Sequence, residues 1–428
     1  MVRLRSSLEA TATFVVNPPA DSTSPTLTKT IGSPKFVNGG TTYVKPTTPI
    51  SVSAIDNPGG SGLGGCTLSG ATQNNGPYTQ GTNFFLTTGD VSKTFTVTCT
   101  DNAGNSASLT ETDVVDDTGP SPEKTISSLN YFDGVNTYVT SATDISVAVT
   151  DSGSGVKDCS LSGDTNSNGA YTSGSAFHLT TSDGSKTFTL SCEDQLGNLG
   201  SLTETDIVDD TGPSITITQP TGILILNQPV TASYTCNDGS GSNMASPSGC
   251  SGTLANGATV DTSTAALGPH PFSVTATDKL GNSGSSSLTY YVQYSLTCGR
   301  KVLQPLEQVD NTQPSPWNQL TRRYKLGSTL PVKFQLCDYN GDFVGTAIAY
   351  VAISKVNNAV DVNDPYVSLD SGQSSDNTAI FRYDPVAKQY IYNLSTKSPG
   401  VPWSTGTWKI AIRLNNGTTI VTYFELSK

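Results

Sequence analysis

Apolar and polar residues alternate along most of this chain. In Lys93–Cys99 the apolar side chains Phe95, Val97 and Cys99 are separated by threonines, the period of a strand with one buried face. The same beat recurs in Ile50–Ala54 and Ile145–Val149, and later in Lys333–Leu336, Lys388–Leu394, Trp408–Leu414 and Ile420–Leu426. Between these runs stand Gly, Asn, Asp and Pro, which supply positive φ, a preset φ, or side chains that bond the local backbone. Asn416-Gly417 marks a hairpin turn. Short strands and tight turns are predicted throughout, so the expected fold class is all-β.

The pattern is duplicated. Ser92–Pro120 (SKTFTVTCTDNAGNSASLTETDVVDDTGP) and Ser185–Pro213 (SKTFTLSCEDQLGNLGSLTETDIVDDTGP) are identical at 21 of 29 positions, displaced by a constant 93 residues. So long a match at one displacement means a repeated structural unit. Each copy ends as a hairpin turning at Asp-x-x-Gly-Asn, and Asp-Asp-Thr-Gly-Pro hands the chain to the next unit. About seven short strands per copy suit an immunoglobulin-like β-sandwich. The first cysteine of each copy follows the loop after the second strand, so its bridge should tie neighbouring strands of one sheet rather than cross the core.

The domains expected are 24–118, 119–212 and 213–297 as Ig-like sandwiches and 298–428 as a separate β-rich domain, preceded by a strand and linker over 1–23. The third sandwich diverges, with Ala276 where the repeats carry a cysteine. In the N-terminal segment Leu8, Ala10, Ala12, Phe14 and Val16 alternate as one face of a strand. Such a strand, whose unpaired backbone groups seek a sheet edge, reads either as the last strand of a domain whose body is absent from this sequence or as a strand awaiting a partner, which by donor-strand addition completes a neighbouring copy. The segment lacks the apolar core of a signal peptide.

Charge and cysteines place the chain. The net charge is −12. Residues 1–297 hold 10 Lys+Arg against 25 Asp+Glu, and residues 298–428 hold 13 against 10. An acidic surface of this kind repels nucleic acid and favours cations. No apolar run reaches the roughly 18–20 residues of a membrane span. Eight cysteines fall into local twos: Cys66/Cys99, Cys159/Cys192, Cys236/Cys250 and Cys298/Cys337. One pair per domain reads as disulfides and an oxidising, extracellular location. Zinc is disfavoured, because no CxxC occurs and neither histidine stands near a cysteine cluster.

Two resemblances follow. The pattern T-x-T-D-x-x-G-N with D-x-T-x-P joints, over residues 21–297, resembles the bacterial Ig-like repeats of secreted and surface proteins. Leu326-Gly-Ser-Thr-Leu-Pro331-Val-Lys333-Phe334-Gln-Leu336, Phe381-Arg-Tyr-Asp384, Gln389-Tyr-Ile-Tyr-Asn-Leu394 and Gly406-Thr-Trp408 resemble the PxKF domain. That resemblance implies a β-rich module at the C-terminus of an extracellular protein, without a catalytic role.

Candidate chemistry is sparse. His178 and His270 lie in different domains without a GxSxG or HExxH frame, which argues against a catalytic triad. Trp403 is a candidate sugar-stacking face, with a buried tryptophan as the rival reading. Lys333 is either a functional cation or a side chain that buries its stem and wets its tip. Asn393 and Asn416 match glycosylation acceptors. The joints are the main candidates. Asp116 and Asp117 should face Asp151 and Asp194, Asp209 and Asp210 should face Asp238 and Asp278, and Asp21 should lie near Asp56 and Asp101. Converging carboxylates suit Ca2+, while turn chemistry accounts for each motif without a metal. The function expected is non-enzymatic: a structural or adhesive protein at a cell surface or in a filament, partnered by other surface proteins, copies of itself or glycans. The alternative is the accessory region of a larger secreted hydrolase.

Overall fold

The computed structural model describes residues 20–127, 129–246, 249–296, 298, 302–306, 323–356, 367–368, 379–397 and 401–428. The residues of the expected donor strand, 8–16, lie outside these. The fold is all-β, in two compact units: the first ends at Asp210 and the second begins at Thr211.

The first unit holds the two copies of the repeat. The first copy comprises β1 (Thr26–Ile31), β2 (Lys35–Asn38), β3 (Thr41–Val44), β4 (Ile50–Ile55), β5 (Leu63–Gly70), β6 (Gly76–Tyr78), β7 (Ser92–Asp101) and β8 (Ser106–Val115). One sheet is β1-β4, and the other runs β2-β3-β8-β7-β5-β6. After β1 the chain leaves the small sheet, and β3 pairs parallel with β8 in the large one. The alternating residues Ile50, Val52 and Ala54 of β4 meet Phe95, Val97 and Cys99 of β7 in a core completed by Val44, Leu68, Phe84, Leu86 and Val115. Burying each large apolar side chain contributes roughly 1.5–3 kcal/mol. The hydroxyl of Tyr78 accepts from Val52 N at 2.9 Å and donates to Thr82 O at 2.7 Å, pinning the β6 segment to β4.

The second copy follows with β9 (Ser121–Ile126), β10 (Asn130–Phe132), β11 (Thr137–Val139), β12 (Ile145–Thr150), β13 (Val156–Gly163), β14 (Gly169–Ala170), β15 (Ala176–Phe177), β16 (Gly184–Asp194) and β17 (Leu199–Val208). Its sheets are β15-β12-β9 and β10-β11-β17-β16-β13-β14. Cys66 lies directly across from Cys99, and Cys159 from Cys192, so both bridges tie neighbouring strands of one sheet.

The threonines between the core residues form rungs on the outer face. Thr94–Thr112, Thr96–Thr110 and Thr98–Ser108 pair at 2.8, 2.9 and 2.8 Å, and Thr187–Thr205 and Thr189–Thr203 repeat the arrangement. On the inner side each copy buries a charge. Lys29 Nζ lies 3.1 Å from Asp113 and 3.0 Å from Glu111, and Lys124 Nζ lies 2.9 Å from Asp206 and 3.0 Å from Glu204.

The second unit begins with β18 (Ser214–Gln219), β19 (Ile223–Ile225), β20 (Ser233–Asn237), β21 (Cys250–Gly252), β22 (Gly268–Thr277) and β23 (Ser283–Gln293). Cys250 faces Ala276 across the sheet, so it bridges instead to Cys236 on β20 of the other sheet. The positions of the buried ion pair are apolar here: Ile217, Leu288 and Tyr290 stand where the second copy has Lys124, Glu204 and Asp206.

The C-terminal sandwich is built from β24 (Arg323–Lys325), β25 (Thr329–Phe334), β26 (Ala349–Lys355), β27 (Val367–Ser368), β28 (Arg382–Asp384), β29 (Gln389–Ser395), β30 (Gly406–Leu414) and β31 (Thr419–Ser427). Its sheets are β24-β31-β30-β26-β27 and β25-β29-β28. Its core reaches across the expected boundary at 297, taking in Leu226 and Tyr294 of the preceding sandwich. Ser295 and Cys337 exchange both backbone hydrogen bonds, at 2.8 and 3.2 Å, and Asn227 donates to Asp338 at 2.8 Å.

This seam corrects the expectation of a fourth disulfide. Cys298 and Cys337 stand as neighbouring thiols. The two are not opposed on paired strands: Cys337 bridges to Ser295, and Cys298 Sγ faces the Ser295 carbonyl at 3.8 Å. Burial, then the adjoining Cys337 thiol, push Cys298 up to about 12.

Candidate metal centre at the domain joint

Asp116 directly follows β8, the last strand of the first copy. Its N–H donates to Val44 O at 3.0 Å, so the sheet itself carries the residue to the pole. Asp151 directly follows β12, and Asp194 ends β16 at the Asp-x-x-Gly-Asn turn. Oxygens of these three carboxylates lie within 4.8 Å of one another.

Local turn chemistry holds two of them. Asp194 Oδ1 accepts from the N–H groups of Leu196 and Asn198, each at 2.8 Å, with Gly197 at φ 81° closing the turn. Asp151 Oδ1 accepts from Gly153 and Gly155 at 3.0 and 2.7 Å. Asn198 Nδ2 clamps the joint, donating to Asp194 Oδ2 at 2.7 Å and to Asp116 O at 3.1 Å.

Asp116 is different. It is 0% exposed, and Oδ2 accepts from Ser154 N at 2.7 Å. Its Oδ1 and the buried Ser154 Oγ make no hydrogen bond. Burial pushes the Asp116 carboxyl above its ordinary range, the Ser154 bond opposes this, and the charges of Asp151 and Asp194 add to the rise. Gly153 packs so closely that a Cβ there would stand 2.2 Å from the Asp116 carboxyl carbon. Buried polar atoms in native proteins almost always have partners. Three carboxylates with an orphaned oxygen are a donor set for a hard, oxygen-seeking cation, and without one the like charges repel by on the order of a few kcal/mol.

Asp117 does not join the group. Its carboxylate accepts from Gly89 N at 3.0 Å and its N–H donates to Asp90 at 2.7 Å, back toward the first copy. Successive side chains of an extended chain point to opposite sides, so the two acids of one joint separate. Asp210 behaves alike, accepting from Ser141 N at 2.8 Å, while its N–H donates to Asp183 at 2.8 Å.

Asp21, Asp56 and Asp101 form a second group, also within 4.8 Å. Here the N–H groups of Ser61 and Thr23 hold the Asp21 carboxyl below its ordinary value. Asp209 is buried in the first unit, with its N–H on Val139 O at 2.9 Å. In the second unit Asp238 and Asp278 lie within 4.8 Å of each other, and Asp278 repeats the turn of Asp194 with Leu280 and Asn282.

The remaining candidates are accounted for locally. His178 Nε2 lies 2.7 Å from Asp144, and His270 bonds the Ala266 carbonyl and stacks on Tyr290. Trp403 packs 4.6 Å from Trp408 against the C-terminal core. Lys333 lies on the half-exposed side of β25. Asn416 is 5% exposed, with its amide nitrogen buried, which disfavours it as a glycosylation acceptor. Sequence reasoning missed Ser154 and Asn57. The signal for both was present, since each stands in the glycine-rich loop that opens with Asp151 or Asp56.

No family model matches the chain, and no curated protein matches it. Solved structures do. Mouse cadherin-23 EC22-24 is similar at 18% identity over 63% of this chain and 99% of that one, with a TM-score of 0.26. Protocadherin gammaB7 EC3-6 is similar at 14% identity over 90% and 96%, with a TM-score of 0.25. The CbhA fibronectin(III)-like modules of Clostridium thermocellum are similar at 12% identity over 42% and 94%, with a TM-score of 0.22. Scores this low carry no argument about function, and what the chain can do rests on its own geometry.

Proposed function

We propose that this chain is a non-enzymatic structural and adhesive component outside the cell, whose Ig-like domains are stiffened by calcium at their joints. The observation that carries the reading is Asp116: a fully buried carboxylate with an unpartnered oxygen, grouped with Asp151 and Asp194 where one sandwich hands over to the next. Three disulfides support an oxidising location. Among the described residues no helix is long and apolar enough to cross a membrane. The sequence pattern adds a PxKF-type C-terminal domain to the proposal, and a donor strand over residues 8–16 that joins copies into a filament. Partners would be other surface proteins or further copies of the chain.

Two measurements test this. Calcium should raise the melting temperature of the full chain, and a chelator should reverse the rise; at about 100 times Kd the stabilisation is about 2.7 kcal/mol. Beads coated with the chain should cluster, or hold to cells, in calcium and release in chelator. No melting shift at millimolar calcium, or adhesion indifferent to the chelator, would refute the reading.

A further inference from the structure

The two acidic groups of the first unit share one plan, but their surroundings differ. At the joint the loop reads Asp151-Ser-Gly-Ser-Gly155, and Asp116 Oδ1 makes no hydrogen bond. At the other pole the loop is two residues longer and reads Asp56-Asn-Pro-Gly-Gly-Ser-Gly62. The extra length brings Asn57 inward. The Asn57 amide finds hydrogen-bond partners only when its nitrogen is assigned toward the acids, and so oriented it lies 3.3 Å from Asp21 Oδ1 and 3.0 Å from Asp56 Oδ1. Asp21 Oδ1 also accepts from Thr23 N at 3.1 Å, and Oδ2 from Ser61 N at 2.8 Å. Asp56 Oδ2 accepts from Gly62 N at 2.6 Å.

Resting on the cation reading above, we propose that the two groups are not equivalent. The joint group Asp116/Asp151/Asp194 takes a divalent cation, whereas the group Asp21/Asp56/Asp101 is closed by Asn57, whose amide stands where the ion would.

An amide nitrogen carries two donor hydrogens, enough to bridge two carboxylates. A cation entering there must first break those bonds and then find other ligands, so its net gain is small. At the joint the balance is reversed. An unpaired buried acceptor is the expensive state, and an ion supplies its partner without displacing any existing hydrogen bond to Asp116. Glycine serves each arrangement. A Cβ at Gly60 would stand 2.7 Å from both Asp56 Oδ2 and the Asn57 amide atom that faces the acids, and one at Gly153 would stand 2.4 Å from both Asp116 oxygens. Only a bare backbone admits the amide in one loop and the orphaned carboxylate in the other.

Hydrogen exchange on the full chain, read peptide by peptide with calcium chloride and with chelator, separates the two poles. At about ten times Kd, calcium should slow exchange over residues 151–156 and 194–198 by about tenfold and leave residues 56–62 and 101–105 unchanged. Asp116→Asn should abolish the joint effect. Asn57→Ala, a change at a half-buried loop position, should create calcium protection at residues 56–62 where there was none. Equal protection at both poles in the unaltered chain would overturn the inequivalence and leave the cation reading standing. Protection at neither pole would overturn both. If Asn57→Ala gained no protection, Asn57 would not be the closing group and the proposal would fail on that count.

Discussion

Replacing Lys124 by methionine should damage the second sandwich far more than removing the whole ion pair would. Lys124 Nζ sits 2.9 and 3.2 Å from the two oxygens of Asp206 and 6.0 Å from the centroid of the Phe188 ring, with side-chain exposures of 15% for the lysine and 0% for Asp206. At an effective dielectric of about 20 the attraction is about 4 kcal/mol at 4 Å. Taking each ion from water costs several kcal/mol. The two nearly cancel. Burial outweighs the lysine's attraction at Asp206, whose carboxyl is raised; at Lys124 burial is outweighed by the bonds to Asp206 and Glu204, so the ammonium is raised too. The fully buried partner decides the outcome. Lys124→Met alone strands that carboxylate, at a cost of roughly 3–5 kcal/mol. Lys124→Met with Asp206→Leu removes both charges and should lie within about 1.5 kcal/mol of the parent. The third sandwich does without the pair, with Ile217, Leu288 and Tyr290 in its place. Urea unfolding followed by hydrogen exchange of β16–β17 peptides isolates this domain. A single variant within about 0.5 kcal/mol of the parent, or a double variant as unstable as the single, would refute the reasoning.

The same carboxylates predict a pH trend. Asp113 and Asp206 both have raised folded values, chiefly from burial, so the folded chain binds their protons more tightly than the unfolded one. Their contribution therefore favours folding at acid pH and is lost as pH climbs from the ordinary carboxylate value through the raised one; Asp206→Asn should flatten that slope, and an unchanged slope would contradict it. Each bridge of the repeats closes 33 residues, and removing Cys159–Cys192 by paired alanines should destabilise the second sandwich by about 4 kcal/mol while the first keeps its unfolding midpoint in urea. Gly200→Ala should loosen the joint, because a Cβ there would meet Pro120 O at 1.7 Å; overpacking of this kind costs roughly 1–3 kcal/mol, and a variant of parental stability would show that the backbone yields freely. Cys298, pushed up to about 12, should resist iodoacetamide in the folded chain at pH about 8, well below that value. Prompt labelling would show an open, ionised thiol instead.

Much of this architecture is local, and local features can be read along the chain. Alternation of Phe95, Val97 and Cys99 with threonine specifies strands, because side-chain direction in a strand has period two. A constant displacement of 93 residues implied two copies of one fold, and the position of Cys66 after the second-strand loop implied a bridge within one sheet. Asp116 was also legible, since a joint acid must fall at a pole of the sandwich. What sequence could not decide was parity and partner. Whether Asp116 or Asp117 turns toward Asp151 depends on which way the last strand's alternation leaves the sheet, and its pairing with β3 and β7 settles that. Asn57 reaches Asp21 only because the loop folds back from β4. The burial of Asp206 depends on β9 lying over β17, and the merging of Leu226 and Tyr294 into the C-terminal core depends on how two sandwiches pack. Cys298 and Cys337 show the limit most plainly: spacing suggested a bridge, and the fold does set the two thiols side by side, but it leaves them unbridged, an outcome that spacing does not encode.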